Sequence, residues 1–221
     1  MSGELAPGAQ LPAITQLAER YGTTNTTIQH ALADLREEDF VFSQAGKGVF
    51  VRDRRLFTVR VGTYFTPTPR GYSYKLVDVA EVRPPAEVAA AYGLGADSTA
   101  ILRQRLMLHG GEPVELSWSY YPLDIAGGTP LAGRAKIVGG APQVLAELGY
   151  PQLEFTDRIS SRPPTTEELE ALDLPNDVPV IRQLRIVRSE GGRPVEVGIQ
   201  VKGAHLYELL YQESITPALE G

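Results

Sequence analysis

The chain has 221 residues, of which 43% are hydrophobic and 22% charged, and its formal net charge at pH 7 is -6. These values fit globular material, long enough for one small and one medium domain. The lack of cysteine excludes disulfides, thiolate metal sites and thiol nucleophiles. The negative charge argues against non-specific binding of nucleic acid or anionic membranes by most of the surface. With no apolar run near the roughly 18 residues of a membrane helix, and no basic-then-apolar leader, we expect a cytoplasmic protein.

Two short helical patterns, separated by about three residues, stand near the start of the chain. Gly22 suits the left-handed residue that ends the first helix, and the hydroxyl of Thr24 can cap the second. Such a pair predicts a helix-turn-helix, whose second helix lies in a DNA major groove, and the alternative is an ordinary helical hairpin. Apolar residues recur at i, i+3, i+4 and i+7 in both patterns: Ile14, Leu17, Ala18 and Tyr21, then Ile28, Ala31, Leu32 and Leu35.

A glycine-punctuated hairpin follows directly. Residues Phe40-Val41-Phe42-Ser43 and Val49-Phe50-Val51 predict two strands around the turn Gln44-Ala45-Gly46-Lys47-Gly48. A hairpin after a recognition helix is a wing, so Lys47 at its tip is expected to meet DNA phosphate or the minor groove.

These features together resemble the winged-helix domain of the GntR family of bacterial transcription regulators. The resemblance covers almost all of residues 4–52 and implies DNA binding. It is carried by these residues: Pro7-Gly8, Leu11-Pro12, Leu17-Ala18, Thr27-Ile28, Ala31-Leu32, Leu35 and Gly46-Lys47-Gly48-Val49-Phe50-Val51. The implied DNA-contacting residues are Thr24, Asn25, Thr26, Gln29, His30, Lys47 and Gly48.

Two departures from the family pattern have physical consequences. The family usually carries arginines early in the recognition helix, whereas this chain has Asn25 and Gln29. Because Asn and Gln can pair with the adenine edge, we expect them to read A·T pairs, with Thr26 and His30 near the backbone or bases. The family also has a full helix before the Pro-Gly turn, where only residues 1–5 stand here, so we expect a winged helix-turn-helix that lacks its first helix.

The rest of the chain contains an internal repeat. Each copy predicts a helix, a loop and two strands joined by a glycine hairpin. Two copies are expected to pair into one antiparallel sheet flanked by helices, which gives an α+β fold. Five residues recur 80 positions later, and a glycine hairpin recurs 81 later: Glu87, Leu94, Asp97, Ile101 and Arg105 as Glu167, Leu174, Asp177, Ile181 and Arg185, then Gly110-Gly111 as Gly191-Gly192.

Alternation along the first hairpin predicts a polar sheet face. Arg103 and Arg105 share one side of their strand, and Glu115, Ser117 and Ser119 share one side of the next. A three-residue loop sets Arg105 opposite Glu115 and Arg103 opposite Ser117. Two guanidiniums beside a carboxylate and hydroxyls suit an anionic, hydroxyl-bearing ligand. The alternative is a solvated sheet face with cross-strand ion pairs.

Residues 69–212 resemble the UTRA effector-binding domain of the HutC subgroup of the same family. The motifs are Arg103-Gln104-Arg105, Gly111-Glu112-Pro113-Val114-Glu115, Tyr120-Tyr121-Pro122 and Gly192-Arg193-Pro194-Val195-Glu196. The resemblance implies that paired arginines hold an effector's phosphate or carboxylate and that two glutamates hold its polar groups. The expected effector residues are Arg103, Arg105, Glu115, Ser117, Glu196 and Lys202.

Two positions here differ from many family members. Gly140-Ala141-Pro142 stands where they have Ser-Leu-Tyr, and Lys202 replaces an aromatic residue. Both changes argue against a sugar-phosphate effector, although Lys202 adds a third cation.

These patterns together predict a ligand-responsive transcription regulator, and specifically a repressor. We expect a winged helix-turn-helix at residues 1–54, a linker at 55–68 and an effector-binding and dimerisation domain at 69–217. The expected partners are an operator duplex, a small anionic metabolite and a second copy of the chain, with no cofactor and no metal. Because the sensor fold resembles chorismate lyase, a lyase-type enzyme is one alternative. A partner-binding protein that has lost DNA recognition is another.

Overall fold

A computed structural model describes residues 5–38, 40–52, 57–60, 71–95, 97–175 and 178–212 of the chain, with residues 57–60 described by their backbone alone. In these parts of the chain, no helix has the length and apolar character that a bilayer crossing requires. The expected absence of a first helix concerns residues 1–5, and residues 1–4 lie outside the described parts.

The predicted helix-turn-helix is confirmed. Helix α1 (Ile14–Tyr21) ends at Gly22, whose φ of 63° is left-handed. Helix α2 (Asn25–Glu37) begins after Thr24, whose hydroxyl accepts a hydrogen bond from the backbone N–H of Thr27 at 3.2 Å. Glycine and threonine therefore set the tight connection between the helices.

The two helices bury less of their apolar stripes than the spacing predicts. Their shared core consists of Leu17, Ala18, Ile28 and Leu32. Two other residues of the predicted stripes lie in solvent, since Tyr21 is 65% exposed and Ala31 is exposed. Two short helices cover only the residues near their crossing, and the remaining stripe positions stay in solvent.

The predicted wing is also confirmed. Strands β1 (Val41–Gln44) and β2 (Gly48–Val51) pair antiparallel. The residues before α1 add to this hairpin, because Gln10 forms an antiparallel bridge with Phe50. The backbone N–H groups of Gly8 and Leu11 donate to the carbonyls of Val51 and Val49, both at 2.8 Å.

A short strand follows the wing. Strand β3 (Phe57–Arg60) lies within the segment expected to be a linker, residues 55–68, and it pairs in parallel with strand β10 (Tyr207–Leu210). The segment that leads away from the wing is thereby attached to the last described strand.

The larger unit is a six-stranded antiparallel sheet in the order β4-β5-β6-β9-β8-β7. This order is symmetric about the β6–β9 contact, so it confirms the predicted repeat. The structure adds one strand before each predicted helix. The first half holds β4 (Tyr72–Val82), helix α3 (Ala86–Tyr92), β5 (Ala100–His109) and β6 (Glu112–Pro122), and the second holds β7 (Glu154–Arg162), α6 (Thr166–Leu172), β8 (Val180–Arg188) and β9 (Pro194–Gly203).

Helices cover both sides of the sheet. On one side Val88 of α3 and Leu172 of α6 pack on apolar strand residues such as Leu184, Val197 and Val201. The other side carries α4 (Leu123–Ala126) and α5 (Gly140–Glu147), and their core cluster with the sheet is Ile101, Tyr121, Ile125, Ala126, Leu131, Ala141, Val144, Leu145, Val187 and Val195. This second apolar cluster occupies one end of that side of the sheet. Buried polar side chains lie next to it on the same side.

The predicted register of the first hairpin is wrong by two residues. Arg105 lies opposite Ser117 and Arg103 opposite Ser119, while Glu115 lies opposite Met107. The cause is a two-residue turn, Gly110-Gly111, combined with a β-bulge after Met107. The two-residue turn alone would put the apolar faces of the two strands on opposite sides of the hairpin. The extra residue of the bulge shifts the register by one, so both apolar faces lie on the same side.

Candidate DNA-binding surface and ligand site

The predicted recognition residues form one exposed stripe on α2. Asn25 and Gln29 are four residues apart, as are Thr26 and His30, so the two pairs lie side by side on the helix. All four side chains are exposed. This stripe presents amide, hydroxyl and imidazole groups, which donate and accept hydrogen bonds at base edges and phosphates. Thr24 is exposed too, but its hydroxyl caps the helix.

The wing presents a cation on a narrow turn. Lys47 and Gly48 are exposed at its tip, and the N–H of Lys47 donates to the carbonyl of Gln44 at 3.0 Å. Below the tip, the rings of Phe42 and Phe50 stack across the strands with centroids 5.8 Å apart. These contacts hold the turn that carries Lys47.

Polar side chains are buried together on the sheet side that carries α4 and α5. All of the following are at most 5% exposed: Arg103, Glu115, Ser117, Ser119, Gln183, Arg185, Gln200 and Lys202. Since buried charges must be paired or hydrogen-bonded, this surface, here called the polar face, has a fixed arrangement.

Arg103 fastens a loop to the sheet. Its Nη1 donates to the backbone carbonyls of Pro130, Leu131 and Gly133 at 3.3, 2.9 and 2.5 Å. Burial lowers the pKa of Arg103, and neighbouring Arg105 lowers it further. The Nη1 group of Arg103, a residue predicted to bind the ligand, therefore holds this loop against the sheet.

The centre of the polar face brings several predicted residues together. Arg105 Nη2 donates to the hydroxyl of Ser119 at 2.6 Å. On the neighbouring strands, Lys202 forms a buried ion pair with Glu115 at 2.9 Å. The ammonium also lies 3.3 Å from Oε1 of Gln183. Glu115 is thus paired by a lysine that belongs to the chain itself.

A second ion pair was missing from the sequence prediction. Arg185 donates through Nε and Nη2 to the two carboxylate oxygens of Asp157, at 2.7 and 2.6 Å. Gln183 joins them by donating to Asp157 at 2.9 Å. The repeat contained the signal, because Gln183 and Arg185 lie 80 residues after Arg103 and Arg105.

Glu196 lies at the edge of this network. It is half-buried and accepts a hydrogen bond from Gln152 at 2.8 Å. Burial raises the pKa of nearby Tyr121, and the charge of Glu196 raises it further. Glu196 belongs to neither buried ion pair, and it lies six residues before Lys202 on strand β9.

Tyr207, the first residue of strand β10, contacts the polar face. The ammonium of Lys202 lies 5.6 Å from the centroid of its ring. The side chain of Tyr207 is also hydrogen-bonded to Tyr72 at the start of β4; burial raises the pKa of Tyr72, while this bond lowers it. In the pairing of β10 with β3, Tyr207 is also the register partner of Phe57.

The arrangement can bind an anion, and it offers no metal-binding group among the described residues. Four cations, Arg103, Arg105, Arg185 and Lys202, face three carboxylates, Glu115, Asp157 and Glu196. A separate open groove of about 450 Å³ lies beside α3 between Arg83 and Ser98. It contains none of the predicted residues.

Comparisons with known proteins agree with both halves of the structure. Residues 1–51 match the model of the bacterial regulatory proteins of the gntR family, and residues 69–208 match the UTRA domain. The chain is 30% identical to an uncharacterized HTH-type transcriptional regulator of Streptomyces coelicolor, over 90% of this chain and 82% of that protein. It is also 30% identical to the HTH-type transcriptional repressor NagR of Bacillus subtilis, over 57% of this chain and 54% of NagR.

Solved structures show the same fold. The crystal structure of PhnF from Mycobacterium smegmatis superposes with a TM-score of 0.65 at 15% identity, covering 96% of this chain and 95% of PhnF. The matched domains and relatives are those of transcription regulators, not of enzymes.

The contacts of Arg103 predict unequal effects of the two arginines on stability. Arg103→Met leaves three carbonyls without their donor and should lower the free energy of unfolding by about 2–4 kcal/mol. Arg105→Met is expected to lower the free energy of unfolding by less than half of that amount. Urea unfolding followed by tryptophan fluorescence measures both, since Trp118 lies in the sheet. Equal losses in the two variants would contradict the structural role of Arg103.

Proposed function

Because the chain belongs to the GntR family of bacterial regulatory proteins and carries a UTRA domain, we propose that it is a cytoplasmic repressor that releases its operator when a small anionic metabolite binds. A homodimer on a two-fold operator is the arrangement that suits a helix-turn-helix protein. The observation that carries the proposal is the polar face, where the described cations outnumber the described carboxylates, in a domain joined to an exposed recognition helix. The lyase alternative leaves that helix without a purpose.

We place the anionic group of the effector at Arg105 and the hydroxyl of Ser119. A guanidinium can give a phosphate or carboxylate two parallel hydrogen bonds, and the hydroxyl already in contact with it can turn to add another. Ser117, opposite Arg105, supplies a further hydroxyl. Glu196, at the edge of the network, suits a hydroxyl or amine at the other end of the ligand.

The Glu115–Lys202 pair narrows the chemistry of the effector. A carboxylate that is paired with a lysine attracts a cationic group of a ligand less than an unpaired carboxylate does. A ligand that adds net negative charge is favoured instead, because four cations and three carboxylates lie on the polar face among the residues that the structure describes. We therefore propose phosphorylated or carboxylated metabolites.

We propose that the signal leaves the polar face through Tyr207. Its ring lies beside Lys202, its side chain bonds Tyr72, and its strand pairs with β3, which follows the wing. Contacts of this one residue therefore reach both β3 and the start of β4. An effector that moves Lys202 would shift these contacts, and coupling requires that it bind the two arrangements with different affinity.

On DNA, we propose that Asn25 and Gln29 read A·T pairs while Lys47 and Gly48 of the wing meet the backbone or minor groove. Gln29→Ala should weaken binding to an operator selected from random duplexes by about 1–3 kcal/mol and relax the preference at one A·T position. Gln143→Ala removes an exposed amide from α5 and is the control, expected to bind like the parent. Selection that returns only G·C half-sites would refute the assignment.

For the effector, the test starts from a thermal-shift screen against phosphorylated and carboxylated metabolites. A hit should release operator DNA from the parent protein, and Arg105→Met should bind it about 10- to 100-fold more weakly, because a charge-assisted contact is lost. Operator affinity without the hit should stay within about twofold. Arg83→Met, an exposed arginine beside the separate groove, is the control. Undiminished release from Arg105→Met would show that the anion binds elsewhere.

For the coupling, Tyr207→Phe removes the hydroxyl bonded to Tyr72 and keeps the ring beside Lys202. The hit should bind this variant with nearly parental affinity, whereas its effect on operator affinity should fall by at least about threefold. Calorimetry measures the first quantity and fluorescence anisotropy of labelled operator the second. Tyr211→Phe makes the same change at an exposed tyrosine nearby. Full coupling in Tyr207→Phe would exclude this route.

A further inference from the structure

The side chain of Gln10 reaches the tip of the wing from a distant part of the sequence. Its Nε2 donates to the backbone carbonyl of Lys47 at 2.6 Å, across 37 positions of the chain. Gln10 lies before α1, whereas Lys47 follows α2. This contact ties a turn of only a few residues to a distant part of the sequence, so it restricts the conformation of the turn.

The backbone around Gln10 fixes where this side chain starts. Gln10 bridges Phe50, and the N–H groups of Gly8 and Leu11 donate to the carbonyls of Val51 and Val49 at 2.8 Å. The N–H of Val51 donates back to the carbonyl of Ala9 at 2.8 Å. The segment therefore runs antiparallel beside β2 and is bonded to it through the backbone, which fixes the point from which the Gln10 side chain extends.

Gly48 shows how closely the amide packs on the turn. A Cβ added at Gly48 would lie 2.8 Å from Nε2 of Gln10, so the end of the Gln10 side chain would have to shift. The φ of Gly48 is 115°, a conformation that also favours glycine. Glycine at position 48 therefore suits both the backbone of the turn and the amide of Gln10 that packs against it.

We infer, on the basis of the DNA contact proposed above for Lys47, that Gln10 is a positioning residue for DNA binding, which fixes the wing turn so that the ammonium of Lys47 is held toward the phosphate backbone. The carbonyl of Lys47 is held by Gln10 and its N–H by the carbonyl of Gln44, so both peptide groups of this residue are fixed. A fixed backbone limits the directions that the side chain can take, and less entropy is lost when the ammonium meets DNA.

The test is a double-mutant cycle of Gln10→Met and Lys47→Ala on an operator selected from random duplexes. Methionine keeps the length of the side chain and cannot donate to the carbonyl. With Lys47 present, Gln10→Met should weaken binding about 3- to 10-fold, and in the Lys47→Ala background the further loss should be below about 1.5-fold. Gln10→Asn, too short to reach, should behave like Gln10→Met.

Salt dependence separates positioning from a loss of folding. Lys47→Ala should lower the slope of log K against log salt by about one per wing, because one phosphate contact is lost. Gln10→Met should lower the slope in the same direction, whereas a fraction of unfolded protein would leave it unchanged. Equal losses in both Lys47 backgrounds, or an unchanged slope, would overturn the inference.

Discussion

Ionised side chains buried on one face of a sheet must be compensated within the protein, and this constraint governs the larger half of the molecule. Glu115 is paired with Lys202, Asp157 with Arg185, and Arg103 with three carbonyls of the loop at residues 130–133. Each compensation joins separate elements, so the polar face is held as one network. An anion that enters this face adds to a surface with more cations than carboxylates and therefore acts on several strands together.

The two repeats use this surface differently. In the second repeat Arg185 is clamped by Asp157, its register partner on β7, whereas the register partner of Arg105 on β4 is Leu76. The first repeat also has Arg103 where the second has Gln183. The second repeat thus has an ion pair between two of its own strands, whereas in the first repeat Arg105 donates to the hydroxyl of Ser119, where we propose that the ligand binds. The apolar side of the sheet, with α3 and α6, preserves the symmetry.

Much of the fold was predictable because it depends on local patterns. Gly22 and Thr24 mark the helix connection, and the repeat gives the pairing of the two sheet halves. Predictions failed where distant residues or irregular backbone decide. The bulge after Met107 moved Arg105 from Glu115 to Ser117, and alternation alone does not reveal a bulge. The backbone bonds of residues 8–11 to β2 and the carbonyl bonds of Arg103 join residues far apart in the sequence. Of the site, the identity of the polar residues was predictable, and their partners were not.

The central claim is that the anionic group of the effector binds at Arg105 and Ser119 on the polar face. A crystal structure of the protein with a metabolite that releases it from operator DNA tests this most directly. The account predicts a phosphate or carboxylate within hydrogen-bond distance of the Arg105 guanidinium and the Ser119 hydroxyl. A ligand bound only in the groove beside α3, with the polar face unchanged, would contradict it.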